Sequence, residues 1–227
     1  MLRAVLFDWG NTLVRFEWDE ELLAAGHRSG LAALGREADA AAFTERFREL
    51  LPALTPSDDY PALLGSELGI GPADVETFLR AEQVVWQPAH SLVDSAHALL
   101  ESLRNRGLKL GIVANHWPDP AWAVRAEIER LGIADRVDAV VLAGEAGVRK
   151  PDPAIFELAL RELQVEAFEA MYVGDRLDTD VRGAGELGMT TVQAVWFRAD
   201  DEAAGIEPDF LAFTPMDVLN AVKRVAV

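Results

Sequence analysis

Five short apolar runs punctuate the chain, Ala4 to Phe7, Leu108 to Val113, Val137 to Leu142, Ala170 to Val173 and Met189 to Val195, and each reads as a buried strand. Between most of them the apolar residues recur every three or four positions, the spacing of a helix with one buried face. Strands alternating with helices predict a parallel sheet covered by helices. Leu92, Ala96, Leu99, Leu100 and Leu103 fall at helical spacing, Asn105-Arg106-Gly107 supplies a stop, and a strand follows. Pro153 suits the first turn of another helix, which carries Ile155, Phe156, Leu158, Ala159 and Leu163.

The rhythm breaks from about Phe16 to Gln87. That stretch is rich in Ala, Leu and Glu, keeps helical spacing throughout and offers no convincing strand. It is expected to be an inserted all-helical domain over residues 16–87, with residues 1–15 and 88–227 forming the α/β core. Gly35, Pro52, Pro56, Pro61 and the segment Gly69 to Pro72 punctuate its helices, and the last helix is predicted to start near Pro72 and run to Trp86.

With 227 residues, half of them apolar, the chain can bury a sizeable core without staples. It contains no cysteine, which excludes disulfides, thiolate metal sites and cysteine nucleophiles. No run approaches a membrane span and no secretory leader is visible, so a cytoplasmic protein without membrane attachment is expected. A formal charge of -17 argues against nucleic acid and anionic membrane surfaces as partners, since both attract clustered Lys and Arg. An anionic substrate would need a local cation.

Three polar clusters carry the candidate chemistry. Asp8 follows the first strand, with Trp9, Gly10, Asn11 and Thr12 after it, and Gly10 makes a sharp reversal cheap. Arg149-Lys150-Pro151-Asp152-Pro153 is the second, and Gly174-Asp175-Arg176-Leu177-Asp178-Thr179-Asp180 directly after Met171-Tyr172-Val173 is the third. Taken singly, an Asp at a strand end is a turn or cap residue, Lys150 is a solvated lysine, and Asp178 and Asp180 serve a helix N-terminus. Taken together, Asp8, Asn115, Lys150 and Asp175 all lie at or beyond strand ends, where open α/β sheets collect ligands.

The ordered set Phe7-Asp8-Trp9-Gly10-Asn11-Thr12-Leu13, Gly111-Ile112-Val113-Ala114-Asn115, Lys150-Pro151-Asp152-Pro153 with Ile155-Phe156, and Gly174-Asp175 with Asp180 resembles the haloacid dehalogenase superfamily, in particular members with a helical cap inserted after the first motif. The resemblance spans nearly the whole chain and implies a Rossmann-like parallel sheet. It implies that Asp8 is a nucleophile forming an aspartyl phosphate, that Mg²⁺ is held by Asp8, Asp175 and the Gly10 carbonyl with Asp180 behind them, and that Lys150 neutralises the carboxylates and holds a phosphoryl oxygen. Asn115 and His116 would meet a small phosphorylated substrate, and the cap would set substrate choice. Within the cap, Trp18, His27, Arg28, Arg46, Arg48 and Trp86 read by default as packing residues and solvated faces.

Two positions depart from the family pattern. Gly10 stands where phosphatases of the family commonly carry a second Asp that protonates the leaving oxygen, assistance worth about 10² to 10⁴ in rate. Ala114 stands where Ser or Thr usually binds the phosphoryl group, and a hydrogen bond to a charged group is worth roughly 1.5–3 kcal/mol. His116 is one candidate to replace the missing acid, because an imidazole ordinarily titrates near neutrality. The expected activity is Mg²⁺-dependent hydrolysis of small phosphate monoesters. The alternatives are a 2-haloacid dehalogenase, which needs no leaving-group acid but also no Mg²⁺, and a non-catalytic protein that binds metal and a phosphorylated ligand or a partner.

Overall fold

The computed structural model describes residues 1–55, 59–197 and 205–225; Pro56, among the expected helix breakers, lies outside the described residues. From the N-terminus the chain forms β1 (Ala4–Phe7) and β2 (Val14–Phe16), then the helices α1 (Glu20–Ala33), α2 (Ala40–Leu50), α3 (Tyr60–Leu68) and α4 (Pro72–Trp86). It continues through β3 (His90–Leu92), α5 (Ala96–Arg104), β4 (Lys109–Ala114), α6 (Ala121–Arg130), β5 (Ala139–Leu142) and the single turn α7 (Ala143–Ala146). The remainder is α8 (Pro153–Leu163), β6 (Ala170–Gly174), α9 (Arg182–Glu186), β7 (Thr190–Ala194), β8 (Phe210–Ala212) and α10 (Val218–Val225).

Six strands make one sheet in the order β5-β4-β1-β6-β7-β8, and every pairing in it is parallel. β1 is flanked by β4 and β6, with Phe7 level with Ile112 on one side and Val173 on the other. The chain builds outward from β1 to β4 and β5, then crosses back to β6. This reversal makes β1 the switch point of the strand order, and sheets of this kind bind ligands outside the carboxyl ends of the strands at such a point. Helix α8 covers one face: Ile155, Phe156, Ala159 and Leu163 pack with Leu6, Val113 and Tyr172. Asp152 caps α8 by accepting from the Ala154 N–H, and Pro153 occupies the first turn.

The boundaries of the expected strands shift by up to two residues, and among the described residues three strands are additional. β2, β3 and β8 are three residues each; β2 and β3 mix polar with apolar positions, and β8 is apolar but too short to stand out as a strand. Leu92 belongs to β3 rather than to the helix that follows. β8 is fastened to β7 by Asp209, whose carboxylate accepts from the Thr191 N–H at 2.8 Å and from its hydroxyl at 3.0 Å.

By internal contacts the chain divides into two units, Met1–Phe16 with Ser91–His116 and Arg125–Val227, and Glu17–His90 with Trp117–Val124. The second unit is helical through α1 to α4. Asp19 caps α1 by accepting from the Glu21 and Leu22 N–H groups, and α3 ends at Gly69 in a left-handed conformation that glycine tolerates. A methyl group on Gly30 would sit 2.5 Å from the Phe78 ring, so its absence lets α1 and α4 approach closely. Segment Trp117–Val124 joins this unit through side chains: Trp117 meets Tyr60 edge-on at 6.3 Å, the Arg80 guanidinium lies 4.3 Å from the Trp122 ring, and Gln83 donates to Asp119 at 2.6 Å. None of those contacts follows a spacing rule, which is why residues 117–124 read as core from sequence. Among the described residues no helix is long and apolar enough to cross a membrane.

Candidate active site

Asp8 is the first residue beyond β1. Its N–H donates to the Val173 carbonyl at 2.9 Å, so the ladder with β6 fixes its main chain one step past the last strand residue. The side chain is buried, and burial raises its carboxyl to about 6, against the lowering influence of Lys150 and with Asp180 adding to the rise.

Lys150 reaches Asp8 from the loop between α7 and α8. Its ammonium contacts Asp8 Oδ1 at 2.7 Å, Asp180 Oδ1 at 2.6 Å and the Tyr172 hydroxyl at 2.9 Å. An ammonium has three N–H groups, so all three are engaged. Burial would lower this ammonium, but Asp180 and Asp8 outweigh burial and hold it above its ordinary value. Tyr172 lies inside β6, and its hydroxyl is 2.8 Å from the Val113 carbonyl, which can only accept; the phenol therefore donates to Val113 and accepts from Lys150. Deep burial, reinforced by Asp180, Asp8 and Asp175, keeps the phenol protonated.

Asp175 follows β6 directly, and Asp180 comes from the wide turn Leu177–Val181 that leads into α9. Asp180 Oδ2 accepts from the Arg176 N–H at 3.0 Å while Oδ1 faces Lys150. A Cβ on Gly174 would stand 2.5 Å from the Asp180 carboxylate, so glycine is needed there for the carboxylate to lie across the strand end. One carboxylate oxygen from each of Asp8, Asp175 and Asp180 falls within 4.8 Å of the others, all in buried residues. Three buried carboxylates thus converge with one ammonium among them. A divalent cation with a preference for hard oxygen donors fits that donor set.

The remaining expected residues are placed differently. The Asn115 carboxamide makes a two-way clasp with the Lys150 main chain, donating to its carbonyl at 2.9 Å and accepting from its N–H at 2.9 Å. It therefore sets the loop that presents Lys150. His116 Nε2 accepts from the Gly144 N–H at 2.9 Å, at the start of α7. That bond needs an unprotonated Nε2, which works against an imidazolium proton donor at this atom. Gly10 is exposed in the turn after β1 and bridges to Val14, and Ala114 is buried at the end of β4 without a hydroxyl to offer.

Sequence reasoning gave Tyr172 no role, and it placed Gly174 in the third cluster without assigning it one. A phenol inside an otherwise aliphatic buried strand is a signal, because a buried hydroxyl requires partners. In the helical unit, Arg46 and Arg48 are ion-paired with Glu67 and Glu20, Trp18 stacks against Trp86 at 5.5 Å, and His27 is fully buried.

The haloacid dehalogenase-like hydrolase family model matches residues 2–188. A glyceraldehyde 3-phosphate phosphatase from Methanopyrus kandleri is 34% identical, with 100% of this chain and 99% of that protein covered. A ribulose-1,5-bisphosphate 5-phosphatase from Halopiger xanaduensis is 32% identical, covering 85% of this chain and 84% of its own. Among solved structures, a HAD phosphatase from Thermococcus onnurineus matches with a TM-score of 0.68 at 27% identity, covering 97% of this chain and 98% of the other.

Proposed function

The chain belongs to the haloacid dehalogenase-like hydrolases, and from that premise we propose that it is a Mg²⁺-dependent phosphatase of small phosphorylated metabolites working through an aspartyl phosphate on Asp8. The observation that carries this reading is the buried cluster in which Lys150 joins Asp8 to Asp180, with Asp175 completing a three-carboxylate donor set. The phosphatase names of relatives aligned along most of the chain support it.

Asp8, Asp175, Asp180 and the Gly10 carbonyl would hold Mg²⁺. When bound, the ion supplies positive charge to phosphoryl oxygens and to the carboxylates around it. Asp8 must be ionised to attack phosphorus, and Lys150 at 2.7 Å favours that form. Lys150 is in turn placed by the Asn115 clasp and by Tyr172. Attack by one Asp8 oxygen forms the aspartyl phosphate as the ester oxygen departs, and water then releases inorganic phosphate and restores Asp8.

A dehalogenase would use Asp8 on carbon and would gain nothing from a divalent cation, so the acidic cluster favours phosphoryl transfer. A panel of phosphorylated metabolites with and without Mg²⁺, run beside 2-chloropropionate and the Asp8→Asn variant, tests the proposal. Metal-dependent phosphate release that disappears in Asp8→Asn is expected. Metal-independent chloride release would replace this reading with dehalogenation, and neither product would favour a non-catalytic binding role.

A further inference from the structure

Among the described residues of the α/β unit, the printed contacts of the polar groups around Asp8 direct no proton toward a departing oxygen. Trp9, Gly10, Asn11 and Thr12 follow it in sequence, and none is an acid near neutrality. All three Lys150 N–H groups are directed to Asp8, Asp180 and Tyr172, and the Tyr172 proton is directed to the Val113 carbonyl. His116 uses Nε2 as an acceptor for Gly144. Asp175 and Asp180 belong to the candidate metal cluster. Steric exclusion does not account for this, because a Cβ on Gly10 would meet nothing within 4 Å.

We propose that the site selects phosphoryl donors whose leaving group departs as a stable anion, with acyl phosphates as the preferred class and alkyl phosphates disfavoured. This rests on the phosphatase reading and ranks substrates within it. In the first step an Asp8 oxygen bonds to phosphorus while the bond from phosphorus to the bridging oxygen breaks. The substrate's carboxylate leaves with that electron pair, and no proton moves. Since Asp8 is itself a carboxylate, the phosphoryl group passes between two groups of similar basicity, so the step is nearly balanced in energy. Water then attacks phosphorus, the electron pair of the phosphorus–Asp8 bond returns to Asp8, and the water's proton passes to solvent. Neither step needs an acid to protonate the departing oxygen. An alkyl ester would have to expel an alkoxide, a far stronger base, and loses the factor of about 10² to 10⁴ that a positioned acid contributes.

The test measures kcat/KM with Mg²⁺ for acetyl phosphate, 4-nitrophenyl phosphate, phenyl phosphate and benzyl phosphate. The last two are close in shape and differ chiefly in the basicity of the oxygen expelled. A steep fall is expected along the series, with benzyl phosphate at least about 10²-fold below phenyl phosphate. In Gly10→Asp, which places a carboxyl group in the open space beside Asp8, the phenyl-to-benzyl gap should narrow by a similar factor. Phenyl and benzyl phosphate turned over within a few-fold of each other by the parent would overturn the proposal, whatever Gly10→Asp does, and would show that a proton donor is supplied from elsewhere. Phosphate released from none of the four, acetyl phosphate included, would remove the phosphatase reading along with it.

Discussion

The two units bury ionisable side chains in opposite ways. In the α/β unit, Asp8, Lys150 and Asp180 are buried as ions in contact, with distances of 2.7 and 2.6 Å to the ammonium. In the helical unit, His27 and Glu82 are buried in neutral form. Burial and the nearby Arg48 lower His27 to about 4, and burial together with Asp119 raises Glu82 to about 8 against a hydrogen bond from Trp86. The Thr44 hydroxyl donates to the Ala40 carbonyl, so His27 must donate from Nδ1 to Thr44, leaving Nε2 bare at 3.7 Å from Glu82. Neutrality is the inexpensive way to bury a polar group, and charge is the expensive one. On the proposed function, charge is buried where an ionised nucleophile is required and avoided where only packing is at stake.

Lys150→Met should have the largest effect. It leaves Asp8 and Asp180 facing each other without a cation, which costs about 3–5 kcal/mol in a buried pair and should also abolish turnover. Denaturant unfolding with and without Mg²⁺ checks it: part of the loss should return with the ion, and unchanged stability would mean that the cluster is not buried as ions. Gly174→Ala comes next. The added methyl would press on an Asp180 carboxylate already held by Lys150 and the Arg176 N–H, so at least a ten-fold loss of turnover is expected, with about 1–3 kcal/mol of destabilisation. Full activity would show that Asp180 is free to move.

The helical unit should respond to pH instead. Glu82, raised from 4.5 to about 8 by folding, contributes stability that is complete below 4.5 and is lost as pH rises through 8. His27, lowered from 6.5 to about 4, contributes stability that is complete above 6.5 and is lost as pH falls toward 4. Glu82→Gln should remove the alkaline limb, so the variant's Tm should gain on the parent's between pH 5 and 9 (the two ends of the scan). A gain of about 1 kcal/mol corresponds to roughly 2–4 °C at this chain length. Parallel Tm curves would show that Glu82 is not held neutral. The smallest effect is expected at Arg125→Ala, which breaks a half-exposed pair with Glu145 and should cost under about 1 kcal/mol in thermal unfolding. A loss matching that of Lys150→Met would erase the distinction between buried and exposed pairs.

Much of this was legible in the sequence because burial on both faces writes a strand as an unbroken apolar run. Ala4 to Phe7 and Ala170 to Val173 announce β1 and β6, and carboxylates directly beyond such runs are led into one crevice by parallel pairing. β2, β3 and β8 were not legible, since three residues carry too little periodicity. The helical stretch was legible from spacing, but the membership of Trp117–Val124 depends on ring contacts with Tyr60 and Arg80 that no local pattern encodes. Asn115 and His116 illustrate a further gap: sequence puts them on the loop after β4, but which atoms face Lys150 and Gly144 is decided by tertiary packing. Tyr172 was hidden by counting it among apolar residues.

Rapid quenching of the Mg²⁺-supplemented enzyme during turnover of acetyl phosphate, followed by peptide mass analysis, tests the central claim most directly. The account predicts an acid-stable, base-labile phosphoryl adduct on the peptide containing Asp8, absent in Asp8→Asn. Continued turnover with the adduct on another residue, or undiminished turnover in Asp8→Asn, would contradict it.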